Sequence, residues 1–444
     1  MNKREFLKKT AAASSFALLP NGTWAFSKKD KRLRTAHIGV GNMGGEDLQA
    51  ISSHAQVDVV ALCDVDANNL AAAHKLHPKA KTFSDYRVML KEMKKKIDAV
   101  VVSTPDHTHA PASMMAMEMD KPVYCQKPLT HHVSEARAMK KMAEERGLVT
   151  QMGIQVHSFY DYKLATLLIQ SGIIGKVSTV RAWSPKNWGY DGPPPEGTDP
   201  VPSSLDWNLW LGTSAERPYK KDVYHPGNWR KLLDYGCGTL GDMGVHIFDT
   251  PYNALALDVP RTITTNCRKP NGFGYPEQNM VTYEFPGTKY TADTLKWVWY
   301  DGIDADKQRE DLMLPGGEPL HDQGAMFIGE KGRFYLPHFQ KLPQLIIDGE
   351  FVDITNEILA QNLGEPVRDY AGESPKHYHQ FVDACLGKAE VSAPFSYASK
   401  LTETILLGTI AGRFPNKTLH WDSANAKFVE EEANQYLDSP YREF

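Results

Sequence analysis

The chain predicts an α/β domain with a doubly wound parallel sheet, then an α+β domain with a large, open and mostly antiparallel sheet. Three observations carry this. Up to about residue 155, apolar strand-like runs alternate with helix-spaced segments of about 10–15 residues, the pattern of βαβ units. A glycine-rich turn, Gly39-x-Gly41-x-x-Gly44, closes the first of those runs. Beyond Gln155, β-like runs follow one another without helices between them, which favours antiparallel pairing.

Residues 1–32 read as a signal peptide and linker rather than a fold. Residues 2–9 are basic, 10–19 are short and apolar, and Thr23-Trp24-Ala25 offers small residues for cleavage. The Lys-Arg-x-Phe-Leu-Lys string is similar to a twin-arginine export signal, with lysine in place of the first arginine. The expectation is an exported, periplasmic protein, by that route or by an ordinary secretory signal. The alternative is an amphipathic arm on a cytoplasmic protein.

The first domain is expected over 33–155. Strands fall at 33–40, 57–63, 97–102, 122–125 and 148–152, with helices at 67–76, 85–93, 109–119 and 134–146. The second domain is expected over 156–444. It opens with a helix at 162–169, followed by strands at 177–183, 261–267, 280–285, 294–300, 325–328 and 344–347. A late helix, about 396–413, is expected to pack back on the first domain.

The glycine turn follows a strand and precedes a helix, and Asp64 stands 20 residues beyond Gly44 at the end of the second strand. That is the dinucleotide fingerprint of a Rossmann domain. Gly39 permits the tight turn, Gly41 admits a pyrophosphate to the backbone, and Gly44 lets helix and strand approach. Asn42 and Met43 complete the loop at the helix N-terminus, where free N–H groups attract an anion. Asp64 suits two ribose hydroxyls and repels a ribose phosphate, so NAD is expected rather than NADP; the alternative is a cap for the next helix.

Composition narrows the class. Lys+Arg is 50 against 54 Asp+Glu, a net charge of −4, which disfavours a nucleic-acid binder. No run approaches the ~18 apolar residues of a membrane span. Five cysteines without a CxxC pair argue against a disulfide framework or a zinc ribbon.

Four features stand together: the Gly39/Gly41/Gly44 turn, Thr104-Pro105 after the strand at 97–102, Lys127-Pro128 after the strand at 122–125, and Gly241-Asp242-Met243-Gly244-Val245-His246. The combination resembles the Gfo/Idh/MocA family, which includes glucose–fructose oxidoreductase and inositol dehydrogenase, over about residues 33–415. The resemblance implies substrates among sugars, inositols and polyols, a catalytic Lys127, and Asp242 and His246 contacting substrate and moving its proton. It also implies a homo-dimer or tetramer, and puts Pro105 and His109 on a cofactor-edge loop, to which Thr104 and His107 are also assigned; the alternative there is a capped helix start. Gln126 and Gln155 are assigned to the same cofactor wall. Gln126 stands where the family has glutamate, which changes the charge beside Lys127.

The residues support this chemistry on their own. Lys127 ends a strand at the edge where ligands bind in such sheets, and an ammonium there favours a developing alkoxide. Asp242 and His246, four apart, share a face if helical. A histidine accepts a proton near neutrality, while Asp242 binds a neighbouring hydroxyl or holds the imidazole. The structural alternative is a helix cap and a core histidine. No metal is expected at His107 and His109, and His131-His132 reads as solvated surface. Five of the nine tryptophans fall between 183 and 230; Trp188, His225, Trp229 and Arg230 are the expected substrate contacts.

An exported enzyme has no free NAD pool, so tight retention and recycling of the cofactor are expected. The first reading is a dehydrogenase of a sugar, glycoside or polyol secondary alcohol, including oxidation of a glycoside at C3. The second is an NAD-requiring glycosidase working by transient oxidation, elimination and reduction. The third is a non-catalytic NAD sensor.

Overall fold

A computed structural model describes residues 32–302, 310–339, 341–365 and 369–444. The expected export signal falls on residues 1–31 and lies outside them.

The first sheet contains β1 (Leu33–Ile38), β2 (Val57–Cys63), β3 (Lys81–Phe83), β4 (Ala99–Val102), β5 (Val123–Gln126) and β6 (Thr150–Gly153). All pairs are parallel, in the order β3-β2-β1-β4-β5-β6. β4 reads Ala-Val-Val-Val and is buried throughout, because helices cover both faces of such a sheet. Those helices are α1 (Met43–Ser52), α2 (Ala67–Leu76), α3 (Tyr86–Met93), α4 (His109–Glu118) and α5 (Val133–Arg146). Asp66 and Asp85 cap α2 and α3, accepting hydrogen bonds from the N–H of Asn68 and Arg87. Strand order reverses between β1 and β4, and a crevice opens there at the C-terminal strand ends.

The rest of the chain builds α6 (Tyr160–Gln170), β7 (Val177–Ser184), α7 (Trp207–Leu211), α8 (Val245–Ala254), β8 (Thr262–Asn266), β9 (Asn279–Pro286) and β10 (Thr291–Asp301). It continues with β11 (Gln323–Gly329), β12 (Gly332–His338), β13 (Gln344–Ile347), β14 (Glu350–Val352), α9 (Thr355–Ala360), α10 (Tyr370–Cys385), α11 (Phe395–Ala411), β15 (Thr418–Asp422) and β16 (Lys427–Phe428). The ten strands form one sheet in the order β14-β13-β12-β11-β7-β10-β9-β8-β15-β16. It is mostly antiparallel, as expected, with one parallel pair, β7 and β10, at its centre.

α11 is apolar nearly all round and correspondingly buried. Its Thr402 hydroxyl accepts a hydrogen bond from the Leu129 N–H at 3.1 Å, and its Glu403 pairs with Arg137 of α5 at 2.6 Å. The helix thereby joins the two sheets. His131 and His132 are not solvated surface: Glu135 accepts both their backbone N–H groups at the start of α5, and the His131 ring donates to the Gly236 carbonyl at 3.1 Å. Among the described residues no helix is long and apolar enough to cross a membrane.

Candidate active site

A cavity of ≈ 500 Å³ runs along the crevice. Asp64, Asn69 and Tyr86 line one end, and Lys127, Asp242 and His246 the other. The glycine turn forms its floor, and Gly39 takes φ 80, which a side chain rarely adopts. A Cβ on Gly41 would lie 2.3 Å from the Asn69 side chain, and one on Gly44 would lie 2.2 Å from the Gly39 carbonyl. Gly44 thus packs behind the loop, while Gly39, Gly41, Asn42 and Met43 face the cavity. The Asp64 carboxylate accepts hydrogen bonds from the N–H groups of Val40 at 2.9 Å and Asp66 at 2.8 Å. It clamps the turn it faces, and burial pushes its pKa up. A glycine floor, a helix N-terminus and an acidic group at the end of β2 fit a dinucleotide.

At the other end, Asp242 is the hub. The Lys127 ammonium donates to its Oδ1 at 2.9 Å and to its main-chain carbonyl at 3.0 Å. Arg230 Nε reaches the same Oδ1 at 3.3 Å, and the Trp188 indole donates to Oδ2 at 2.6 Å. Burial pushes the Asp242 carboxyl up, but Lys127 and Arg230 outweigh it and hold the group well below the usual carboxylate range. Arg230 is itself propped 4.3 Å over the Trp229 ring.

Asp242 and His246 do not share one face of a regular α-helix. Leu240–Gly244 is a π-turn running into α8. Gly241 lets this widened turn press against Cys237, whose Cβ would be 2.2 Å from an added Cβ. The carboxylate therefore turns to Lys127, Arg230 and Trp188, and does not bond the imidazole. Burial, with Lys127 beside it, holds His246 neutral, and its Nδ1 is buried without a hydrogen-bond partner among the described residues.

Other expected contacts sort by place. Thr104, Pro105, His109, Gln126 and Gln155 line the cavity. His109 spans two loops, from the Thr104 carbonyl at 2.8 Å to the Pro128 carbonyl at 2.9 Å. His107 does not reach the cavity; it is buried under Trp210 and bonds that residue's carbonyl at 3.1 Å. His225 lies against Asp66 at 3.3 Å, at the Asp64 end rather than beside Lys127. Most of the aromatic stretch packs on itself: Trp207 stacks on Trp210 at 4.8 Å, with Tyr219, Tyr224 and Tyr235 around them. This mini-core holds the 185–235 segment over the crevice, pinned where Ala67 donates to the Ser204 carbonyl at 2.8 Å and Asp206 to the Val65 carbonyl at 2.9 Å.

Sequence reasoning missed Asp106 and Lys186, which also line the cavity. Burial pushes the Asp106 carboxyl up to about 7, against the pull of Arg230 and Lys127. Its place directly after Thr104-Pro105 was the available signal.

Residues 33–154 match the model of an oxidoreductase family with an NAD-binding Rossmann fold, Gfo/Idh/MocA, and 152–272 match that family's C-terminal alpha/beta domain. The chain is 26% identical over 147 residues to the inositol 2-dehydrogenase of Salmonella paratyphi B, covering 32% of this chain and 43% of that protein. The match thus spans less than half of that relative's length. A glycosyl hydrolase family 109 protein of Stenotrophomonas maltophilia is 33% identical over 138 residues, 28% of this chain and 29% of that one. In fold, the chain is similar to GenD2 from gentamicin A biosynthesis, solved in complex with NAD. That likeness has a TM-score of 0.62 at 21% identity and covers 92% of this chain and 100% of the other. With the two family models together spanning 33–272, more than half of its length, the chain belongs to the Gfo/Idh/MocA oxidoreductases and carries their NAD-binding Rossmann fold.

Proposed function

We propose that the protein oxidises or reduces a secondary alcohol of a sugar, glycoside or polyol, using a tightly held NAD. One arrangement carries the proposal: Lys127, paired with Asp242, shares the dinucleotide crevice with a neutral His246. Bound NAD would supply the hydride acceptor or donor. The chain's own groups would do the rest. Lys127 has three N–H donors and commits two to Asp242, which leaves one for a substrate oxygen. Asp242, filled by three donor side chains, is an anchor for that ammonium rather than a base. His246 is the group free to take the hydroxyl proton. Trp188 and Arg230 hold Asp242; Arg230 also lines the cavity, whereas Trp188, expected to contact substrate, stands behind Asp242 and does not line it.

Slow cofactor exchange is supported by the 185–235 segment, whose Trp210 and Pro226 close over the cavity that Asp64 lines. A second reading, the redox-neutral glycosidase, is favoured by Asp106: a buried carboxyl with a pKa of about 7 can protonate a leaving oxygen. Residues 1–32 are proposed as an export signal, and the protein as a homo-oligomer. Mass spectrometry of the N-terminus after secretion, and light scattering, test these two points.

The deciding experiment takes purified protein with no NAD added. Denaturation should release NAD or NADH, and native protein incubated with glycosides should form ketosugar. Catalytic aglycone release would move the assignment to the glycosidase. Bound NAD with neither product would favour the sensor. An empty protein active only with added NAD would refute retention.

A further inference from the structure

Behind the site lies a buried anion that the chemistry above does not use. Asp47, on α1, is fully buried. Both of its carboxylate oxygens accept from the Gln126 side-chain amide at 2.9 Å. Ser103 Oγ donates to it at 2.5 Å and the Tyr378 hydroxyl at 2.8 Å, and Tyr378 in turn accepts from the Gln155 amide at 2.7 Å. No lysine, arginine or histidine pairs with it among the described residues. Ser103, Gln126 and Gln155 follow or end β4, β5 and β6, and all three line the cavity.

A carboxylate only accepts, so it fixes which way the Gln126 amide faces. With its NH₂ on Asp47, the Gln126 Oε1 accepts the Lys127 backbone N–H at 3.2 Å. Space is reserved for this arrangement, since a Cβ on Gly153 would lie 2.8 Å from Gln126 Nε2. Three donors oppose the cost of burial, which still pushes the Asp47 carboxyl up to about 6. Removing a buried acceptor that serves three donors strands all of them.

We propose that Asp47 is a positioning residue: it sets the Gln126 amide, and through it the Lys127 turn and the polar wall of the cofactor crevice. In effect the carboxylate absent at position 126 is supplied from α1. The proposal rests on reading the crevice as the NAD site, and its test does not depend on knowing the alcohol.

The test is a reciprocal exchange. Asp47→Asn, Gln126→Glu and the double variant are compared with the parent by NADH fluorescence titration after cofactor removal, and by thermal melting. Asp47→Asn sets an amide NH₂ against the Gln126 NH₂ or forces it to flip, and Gln126→Glu sets two carboxylates together. Each single variant should weaken NADH binding about tenfold or more. The double variant restores one carboxylate facing one amide and should return to within about threefold of the parent. A merely space-filling role predicts no such rescue. NADH binding unchanged in Asp47→Asn would overturn the proposal. So would a double variant that binds no better than Gln126→Glu, or that does not fold. If Asp47→Asn alone fails to fold, Gln126→Glu against the double variant decides. Failure here with NADH still bound by the parent would leave the assignment of the crevice intact. A parent that binds no NADH would overturn that assignment instead.

Discussion

Replacing Lys127 with methionine keeps the aliphatic stem and deletes the charge. Two of the three N–H donors are spent on Asp242, at 2.9 and 3.0 Å, so the catalytic loss is that of the remaining one. A single preorganised donor aimed at a developing oxyanion is worth about 10²–10³ in kcat, about 2.7–4 kcal/mol. The structural cost is smaller. Asp242 keeps Arg230 on Oδ1 and Trp188 on Oδ2, so it is not left as a bare buried charge. Loss of the Lys127 bonds should lower stability by about 2 kcal/mol. The expected result is folded protein with an unchanged NAD content and a slowed chemical step. Three measurements check it: NAD released on denaturation, the melting temperature, and the single-turnover rate of nicotinamide reduction by an oxidisable glycoside. A single-turnover rate within about tenfold of the parent, with NAD still bound, would refute the role assigned to the ammonium.

Trp188→Phe keeps an aromatic ring beside Arg230 and Lys231, removes the 2.6 Å bond to Asp242 Oδ2 and should cut kcat/KM by about tenfold, with melting temperature nearly unchanged. Unaltered steady-state kinetics would show that this bond does not orient Asp242. Arg442→Ala removes side-chain bonds to Asn208, Gly212 and Ser214 that brace the segment closing over the crevice. NAD should leave about fivefold faster or more in a stopped-flow trap experiment, and an unchanged off-rate would locate the restraint elsewhere. Acid should destabilise the fold. Burial holds His37, His338 and His377 down at about 3, and His107 at about 4, so the unfolded chain binds protons that the folded one refuses. Stability from these four is full above about pH 6.5 and declines as the pH falls toward their folded values. Asp47 at about 6 and Asp106 and Asp301 at about 7 act oppositely, because the folded state takes up their protons as the pH falls past these values while the unfolded chain stays ionised, but they are fewer. The melting temperature should therefore drop between about pH 7 and pH 5, and a flat or rising profile would refute the balance.

The alternating half was legible because its signals are local. A buried parallel strand such as Ala99–Val102 is a bare apolar run, and an aspartate before a helix announces its start at Asp66 and Asp85. β3, only Lys81–Phe83, is too short to leave a pattern. β12 carries glycine at its start and proline near its end, so its strand character comes from neighbours on both sides rather than from its own residues. The central parallel pair β7–β10 was illegible for the same reason, since direction is set by which distant strand is met.

The candidate site divides along the same line. Lys127, Asp242 and His246 could be picked out because each stands in a short string that resembles a motif of the family, after a Rossmann fingerprint. What each side chain does could not be read from spacing. The four-residue interval between Asp242 and His246 implies contact on an α-helix, yet the π-turn at Leu240–Gly244 turns the carboxylate to Lys127 and leaves the imidazole to the cavity. Gln126 shows the limit most clearly. Read alone, it is a lost charge beside a catalytic lysine; in the fold, Asp47 brings a carboxylate to its amide from 79 positions away in the chain. Charge in a buried site belongs to a neighbourhood rather than to a motif position, so a substitution within a motif is interpretable only with the side chains that face it.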